Sequence, residues 1–223
     1  MRLIISKKTL RDEAYDRLVS MILSGELPPD TQLEEQSLSE RLGISRTPLR
    51  DAILKLIQDG LVVGIPYKGN FVKRFSPEEV EEIYEIRKLL EVKAIQLAVR
   101  YMTDEEAGVI TELVLSIDKA QEQNDIETIS DLDRRFHFKI AQFSRNRVLI
   151  NFLNTIELQI GLIRRMANQK HTTVIRSQFE RLQILEALSK RNEDLAGMFM
   201  EAHIDNVKND VISFLQQHRE NRL

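Results

Sequence analysis

One stretch of the chain, from Gln36 to Val72, restricts the fold more than any other. Its centre, from Gly43 to Arg50, reads Gly-Ile-Ser-Arg-Thr-Pro-Leu-Arg and lies between two short amphipathic segments. Gly43 suits a tight turn, and Ser45 suits the N-cap of a helix that starts directly after it. The pattern therefore predicts two short helices that are joined by a turn.

The second of these helices begins with side chains that suit DNA. In a helix-turn-helix unit, the first helix supports the second, and the second presents its N-terminal residues to base edges in the major groove. Arg46, Thr47 and Arg50 have the right groups for guanine edges and phosphates, and Ser45 adds a hydroxyl. We therefore predict that these four residues contact DNA, although exposed arginines are also common without any partner.

Two short β-rich runs follow, at residues 60–65 and 70–72, and a Pro-Tyr-Lys-Gly segment joins them. This arrangement predicts a two-stranded wing with a basic tip, at which Lys68 and Gly69 are further candidates for DNA contact. Helix, turn, arginine-bearing helix and wing in this order form a much more specific signal than a helix-turn-helix pattern alone.

This part of the chain resembles the GntR family of bacterial transcription regulators. The resemblance implies a DNA-binding dimer in which Arg46, Thr47, Arg50 and Gly69 touch the operator. At Gln36, family members often carry an arginine, but glutamine can still bond a base or a phosphate. The residues that carry the resemblance are Leu38, Leu42 to Arg50, Leu56, Asp59 to Leu61 and Lys68 to Val72.

Composition excludes several other classes of protein. The 223 residues contain no cysteine, which rules out disulfides and thiolate metal sites, and no apolar run approaches a membrane span. We expect a cytoplasmic protein. The net charge of −3 divides unevenly: residues 1–76 hold 12 Lys+Arg against 10 Asp+Glu, whereas residues 77–223 hold 20 against 25. DNA contact is therefore expected from the first third of the chain.

The chain divides in composition near residue 75. Ser76, Pro77 and Glu79 form a capping-box pattern that starts a new helix, and no proline follows Pro77. We predict a mainly α protein with a winged helix-turn-helix domain at residues 1–75 and an antiparallel helical bundle at 76–223. The helices of the bundle are expected at about 77–101, 104–123, 126–143, 147–167, 174–190 and 193–217.

Several polar side chains fall on apolar stripes of these predicted helices. Asp133 and His137 share a stripe with Ile126 and Ile129, and His203 lies on the apolar stripe of the last helix. Because a buried charge must be paired or ligated, the three residues are candidate ligands for Zn²⁺, Ni²⁺ or Mn²⁺.

Two arginines, Arg87 and Arg181, also fall on inner stripes. A guanidinium inside a bundle is well suited to clamp a carboxylate through two hydrogen bonds. The five polar residues together predict an anion pocket for a small carboxylate effector.

The helical part resembles the FCD ligand-binding domain of the FadR-like branch of the GntR family, in its shorter, VanR-like variety. FCD domains typically ligate a metal through an Asp and three His residues, and Asp133, His137 and His203 match three of these positions. Arg181 stands where the remaining histidine is expected. Two readings stay open: three protein ligands hold the metal together with a carboxylate, or the metal is lost and Arg181 supplies the positive charge.

Simpler interpretations exist for each residue. Asp133 and His137 could form an ordinary pair along one helix, Arg87 could pair with Glu91 one turn away, and His203 could be a hydrogen-bonded core histidine. If all three held, the inward polar groups would only satisfy one another.

Three functions are therefore compared. The leading hypothesis is a homodimeric regulator, a repressor that a small organic acid releases from its operator. The second is a metal-dependent hydrolytic enzyme, which needs a further general base although no further carboxylate falls clearly on the inner stripes. The third is a DNA-binding dimer with an inert helical domain.

Overall fold

The computed structural model describes residues 8–167 and 171–220, without the side chains of 171–175 and 218–220. The chain forms two compact units. The first contains the residues up to Phe75 together with Leu158–Met166, and the second contains Ser76–Glu157 together with the residues from Ala167 onward. None of the described helices has the length and apolar character that crossing a membrane requires.

The first unit has the predicted helix-turn-helix and wing. Its elements are α1 (Leu10–Ser24), α2 (Glu35–Leu42), α3 (Arg46–Gln58), β1 (Val62–Ile65) and β2 (Gly69–Val72). Thr9 caps α1 by accepting a hydrogen bond from the backbone of Asp12 at 3.2 Å. Gly43 ends α2 with a φ of 66°, in the left-handed region that glycine adopts without strain.

The wing is a tight antiparallel hairpin. Its strands pair from Val62 opposite Val72 to Ile65 opposite Gly69, which leaves three residues for the loop. The backbone of the segment before α2 continues the wing, since Leu33 N donates to Asn70 O at 2.8 Å.

The core of the first unit follows the apolar periodicity of the helices. The apolar residues that helical periodicity predicts for this core are buried except for Leu42, which lies at the end of α2 and is half-buried. The buried members are Leu18, Ile22, Leu38, Leu49, Ile53 and Leu56.

The second unit is helical throughout its described residues. It comprises α4 (Pro77–Tyr101), α5 (Asp104–Glu122), α6 (Ile126–Phe143), the start of α7 (Arg147–Ala167), α8 (His171–Ser189) and α9 (Glu193–Glu220). Helix α4 packs on α6 and α9, and α5 packs on α6 and α8. Capping boxes start two helices, with Ser76 and Glu79 at α4 and Thr103 and Glu106 at α5. The mainly α fold is confirmed. Helix α8 begins three residues earlier than predicted, and α9 ends three residues later.

Helix α7 contributes to both units, which a division at residue 75 does not anticipate. Residues 158–166 are part of the first unit, where Ile160, Leu162 and Ile163 are buried. In the same unit, Gln159 Nε2 donates to the carbonyl oxygen of Asp59 at 3.1 Å, just after α3 ends. A side chain at Gly60 would meet Gln159, because a Cβ built there lies 2.6 Å from Gln159 Nε2.

Candidate functional site

Three side chains with metal-binding groups meet inside the second unit. Asp133 and His137, on α6, and His203, on α9, each offer a ligand atom, and these atoms lie within 4.8 Å of one another. Both histidines are buried, and their rings stack with centroids 5.3 Å apart. Ile126, which was predicted to lie on the same stripe, is 51% exposed because it is the first residue of α6. Its predicted place on the inner face was wrong.

A buried carboxylate fixes each of the two histidine rings. His137 Nδ1 contacts Glu91 Oε2, on α4, and His203 Nδ1 lies 2.7 Å from Glu180 Oε2, on α8. The other ring nitrogen of His137, Nε2, is buried without a hydrogen bond and lies 3.7 Å from Asp133 Oδ2. A carboxylate that holds one nitrogen while the other is free is the arrangement that orients histidine toward a metal.

The two glutamates correct an expectation from sequence. We expected no further carboxylate on the inner faces, yet Glu91 and Glu180 are 4% and 6% exposed. Each is a close neighbour in sequence of an inward arginine: Glu91 follows Arg87 by one turn, and Glu180 directly precedes Arg181. For Glu91 that spacing was the available signal, because a buried arginine needs a carboxylate partner. Glu180 instead contacts His203, Asn206 and Arg176.

Both predicted arginines are buried, with 1% exposure for Arg87 and 2% for Arg181. Arg87 Nε donates to Glu91 Oε1 at 2.6 Å, as the simpler interpretation of this residue proposed. Arg181 Nη1 donates to Asp133 Oδ1 at 3.1 Å, so the arginine holds one oxygen of a candidate metal ligand. The Asp133–His137 pair along α6 is too long for a hydrogen bond.

Both arginines, and Tyr84 on α4, carry buried hydrogen-bond donors that have no partner. They are the hydroxyl of Tyr84, Arg87 Nη1, and both Nε and Nη2 of Arg181. Leaving such a group unpaired costs about 1–3 kcal/mol, so the fold retains them against its own stability. Among the described residues, the buried carboxylate and amide oxygens without partners are on α5 and α7: Asp118, Gln121 and Glu157.

The protonation states are set by burial and by neighbouring charges. Burial alone would raise the pKa of Glu91, but Arg87 and then His137 outweigh it and hold the pKa below its usual range. Burial lowers the pKa of His203, and this effect outweighs the opposing hydrogen bond that the ring donates to Glu180. His203 is therefore held as the neutral imidazole, which is the form that binds metals.

The charges around the site show no positive excess before any ligand binds. Arg87, Arg181 and Arg176, whose Nε lies 3.3 Å from Glu180 Oε1, provide three positive charges. Four carboxylates oppose them, on Glu91, Asp133, Glu180 and Asp210, the last of which pairs with Arg176. These arginines and carboxylates together therefore do not attract an anion strongly.

The residues present fit a divalent metal. Two imidazole nitrogens and a carboxylate oxygen suit Zn²⁺, Ni²⁺ or Mn²⁺, and three protein ligands leave coordination positions for a small molecule. Arg181 opposes the metal in two ways, since it holds Asp133 and adds a positive charge where another histidine would add a ligand. The arrangement predicts a site that binds metal more weakly than one with four protein ligands.

The predicted DNA-contacting residues lie on exposed parts of the first unit. Ser45, Arg46, Thr47 and Arg50 are exposed at the start of α3. Ser45 occupies the N-cap position, but its side chain makes no capping hydrogen bond, contrary to the role expected of it. Its hydroxyl therefore need not give up a capping bond to meet another partner.

The remaining candidates lie on α2 and on the wing. Gln36 is exposed, and its Oε1 accepts a bond from Arg46 Nη2 at 3.3 Å, so the start of α2 and the start of α3 come together. Arg50 Nε donates to Glu35 Oε2 at 2.6 Å. Lys68 is exposed in the wing loop, and Gly69 is exposed beside it as the first residue of β2.

Comparison with known proteins assigns both parts of the chain. Residues 10–72 match the bacterial regulatory proteins of the gntR family, and residues 82–206 match the FCD domain. The HTH-type transcriptional regulator YdhC of Bacillus subtilis strain 168, described as uncharacterized, is 28% identical over 211 residues, which cover 93% of each chain. The Nta operon transcriptional regulator of Aminobacter aminovorans is 29% identical over 196 residues, covering 88% of this chain and 91% of the relative.

Solved structures show the same fold. Escherichia coli McbR/YncC superposes with a TM-score of 0.79 at 23% identity, over 95% of this chain and 100% of that one. The family and these relatives are transcription regulators rather than enzymes, and they combine a DNA-binding domain with an effector-binding domain. The chain therefore belongs to the GntR family of bacterial transcription regulators, in the branch that carries an FCD domain.

Proposed function

We propose that this chain is a homodimeric repressor that binds a duplex operator and releases it when a small organic acid enters the helical domain. The observation that carries the proposal is the set of unpartnered buried donors on Tyr84, Arg87 and Arg181, beside the Asp133–His137–His203 cluster. Because the unpartnered groups on these three side chains can all donate a hydrogen bond, an anionic acceptor complements them, and a carboxylate matches the planar guanidinium groups.

The charge balance favours a metal as part of this site. Without a metal, carboxylates already offset the three arginines, so binding a further carboxylate would add to a buried excess of negative charge. Asp133, His137 and His203 would hold a divalent ion, with Glu91 and Glu180 orienting the two imidazoles. When bound, the ion supplies the positive charge that a carboxylate needs. Arg87 and Arg181 then donate to the acid and fix its orientation.

The DNA-binding part of the proposal uses the exposed residues of the first unit. Arg46, Thr47 and Arg50 enter the major groove at the start of α3, while Ser45 and Gln36 bond the backbone or a base edge. Lys68 and Gly69 approach the DNA from the wing. Two such units in a dimer read the two halves of a nearly palindromic operator.

The first experiment measures metal content and thermal stability. Purified protein is assayed for Zn, Ni and Mn, and its melting temperature is recorded with a panel of small carboxylates before and after chelation. We expect a bound metal and an acid that raises the melting temperature only before chelation. If an acid stabilises the chelated protein equally well, the proposed role of the metal is wrong. If no metal is found and no acid raises the melting temperature, the inert-domain hypothesis is favoured.

The second experiment tests the connection to DNA. An operator duplex is selected from a random pool with the wild-type protein, and the identified acid is titrated into the complex. The proposal expects the acid to weaken operator binding in the wild type but not in Arg181→Gln, which keeps the DNA-binding surface intact. Arg46→Ala should do the opposite, losing DNA affinity while keeping stabilisation by the acid. An acid that strengthened operator binding would contradict the proposed release of the operator by the acid.

The enzyme hypothesis finds no support at this site. The carboxylates next to the cluster are already occupied, Glu91 by Arg87 and His137, and Glu180 by His203 and Asn206. A general base must be able to accept a proton from water, and the low pKa of Glu91 makes it a poor acceptor.

A further inference from the structure

The loop at the tip of the wing contains a residue in an unexpected backbone conformation. Lys68 N donates to Ile65 O at 3.0 Å, which closes a four-residue turn with Pro66 in its second position. The third position is Tyr67, and its φ is +62°. A turn with proline second and a positive φ third normally carries glycine or asparagine in the third position. In this chain a tyrosine occupies a glycine position.

The fold gains nothing from this tyrosine. A positive φ is a marked outlier for a bulky side chain, and such strain persists mainly where it serves a binding role. The side chain of Tyr67 is fully exposed, at 109%, whereas no other exposed large hydrophobic side chain among the described residues exceeds 67%. The ring therefore contributes no packing that would offset the backbone strain.

Hydrogen bonds to the segment before α2 hold the turn that carries Tyr67 in place. Gln32 Nε2 donates to the carbonyl oxygen of Lys68 at 2.9 Å. Gly69 leaves room for the Gln32 side chain, because a Cβ built at Gly69 would lie 3.0 Å from Gln32 Nε2. Val72 N also donates to Thr31 O at 2.9 Å. The ring is thus presented by a turn that is fixed to the segment before α2.

We propose that Tyr67 is a further DNA-contacting residue, one that binds the sugar-phosphate backbone. A phenol ring can pack on a deoxyribose while its hydroxyl donates to a phosphate, and tyrosine is among the side chains that make such backbone bonds. The exposed ammonium of the neighbouring Lys68 supplies the positive charge that favours a phosphate over an apolar protein partner. The inference rests on the DNA-binding role proposed above for the wing.

A backbone contact has a specific consequence for binding. Backbone contacts position a protein on DNA without reading its sequence. Removal of the Tyr67 ring should therefore weaken binding to every duplex by a similar factor, in contrast to the loss of a residue that reads a base.

The test uses the full chain with Tyr67→Gly, which removes the ring and also relieves the positive φ. We expect dissociation constants about tenfold higher for both the selected operator and a mixed-sequence duplex of equal length. The melting temperature should stay the same or rise, which a residue with a structural role would not do. Unchanged affinity for both duplexes would overturn the proposal, as would a loss confined to the operator.

Two further variants sharpen the result. Tyr101→Ala removes a half-exposed tyrosine at the end of α4 and should leave DNA affinity unchanged. Because the chain has no tryptophan, Tyr67→Trp provides a single fluorescent reporter at the tip. Operator DNA should protect it from acrylamide quenching, and equal quenching with and without DNA would overturn the proposal.

The failure of this inference can be told from the failure of the proposed function. If Arg46→Ala weakens operator binding while Tyr67→Gly does not, only the role of Tyr67 is wrong. If the wild-type protein selects no duplex from the random pool, both proposals fall.

Discussion

Arg181 is the side chain that decides how the buried site treats a metal. It holds Asp133 through Nη1, yet its Nε and Nη2 remain buried without partners. A guanidinium in this place holds one oxygen of the aspartate and therefore competes with a metal for it. The same residue leaves two donors for an incoming carboxylate, so weaker metal binding and stronger acid binding have one cause.

Replacing Arg181 with histidine tests this interpretation directly. Arg181→His removes the competing positive charge and adds an imidazole, so the affinity for Ni²⁺ or Zn²⁺ should rise by about tenfold or more. Calorimetric titration of the chelated protein would measure the change. Arg176→Gln is the control, because it removes a neighbouring charge without adding a ligand. An affinity for Arg181→His no higher than that of the wild type would show that Arg181 does not occupy a ligand position.

The buried pair of Arg87 and Glu91 should be costly to break. Glu91→Gln leaves the Arg87 guanidinium without its ionic partner at 1% exposure, which should lower the free energy of unfolding by about 3–5 kcal/mol. The pair Glu186 and Lys190 has the same spacing, but both side chains are 59% exposed. Glu186→Gln should therefore cost about 0.5 kcal/mol or less. Urea unfolding at neutral pH would compare the two, and similar losses would contradict the burial argument.

Sequence predicted the inward polar residues well but missed their partners. Asp133, His137 and His203 fall on apolar stripes, where helical periodicity identifies them. Sequence analysis offered Glu91 only as a partner for Arg87, and it missed Glu180, because glutamate in a helix is usually exposed. Only three-dimensional packing shows that each of them faces a histidine from another helix.

At the scale of elements, local signals predicted most of the fold. The capping box of Ser76 and Glu79 forms as expected, with hydrogen bonds of 2.9 and 3.2 Å. The division of α7 between two units was beyond prediction, because its two halves have the same kind of apolar pattern. The conformation of Tyr67 was equally hidden, since the neighbouring Gly69 is the residue that a sequence would assign a positive φ.

A hydrogen bond between Tyr15, on α1, and Asp59, just after α3, should give the first unit a dependence on alkaline pH. The bond is 2.5 Å long, and burial followed by Asp59 raises the pKa of Tyr15 above its ordinary value of about 10. A raised pKa stabilises the fold fully below pH 10, and this contribution is lost as the pH rises through the folded-state pKa. The advantage of the wild type over Tyr15→Phe should therefore shrink above pH 10.

Urea unfolding of both proteins between pH 8 and pH 11 measures that advantage. Tyr101→Phe, at a half-exposed position, serves as the control and should track the wild type throughout. A gap between wild type and Tyr15→Phe that stayed constant across this range would argue against the Asp59 bond.

The close approach of α7 to Gly60 makes a second prediction for the first unit. Gly43→Ala and Gly60→Ala both introduce a Cβ at a positive φ, which should cost about 1–2 kcal/mol. Only Gly60→Ala also displaces Gln159 and its bond to Asp59, for a further cost of about 1 kcal/mol. In a Gln159→Ala background this extra cost should disappear. Unfolding curves of the four variants would show it, and additive losses would refute the contact.

For the whole molecule, the proposed function implies reciprocal coupling. If an acid weakens operator affinity by some factor, the operator must weaken acid affinity by the same factor. Couplings of this kind are typically about 5- to 150-fold. Titrations of the acid into protein with and without operator, and of operator with and without acid, measure both sides. Unequal factors would mean that the acid titration follows a binding site other than the site that controls operator binding.

The discontinuous composition of the first unit also affects how the chain folds as it is made. The segment 158–166 belongs to that unit, so the ribosome must add about ninety residues after Phe75 before the unit has all its parts. At roughly 5–20 residues per second, this delay lasts roughly 5–20 s. During that interval, the nascent first unit lacks the segment that contains the buried residues Ile160, Leu162 and Ile163. A chain that terminates early, before residue 158, would therefore lack the Gln159 bond to Asp59 at the end of the recognition helix.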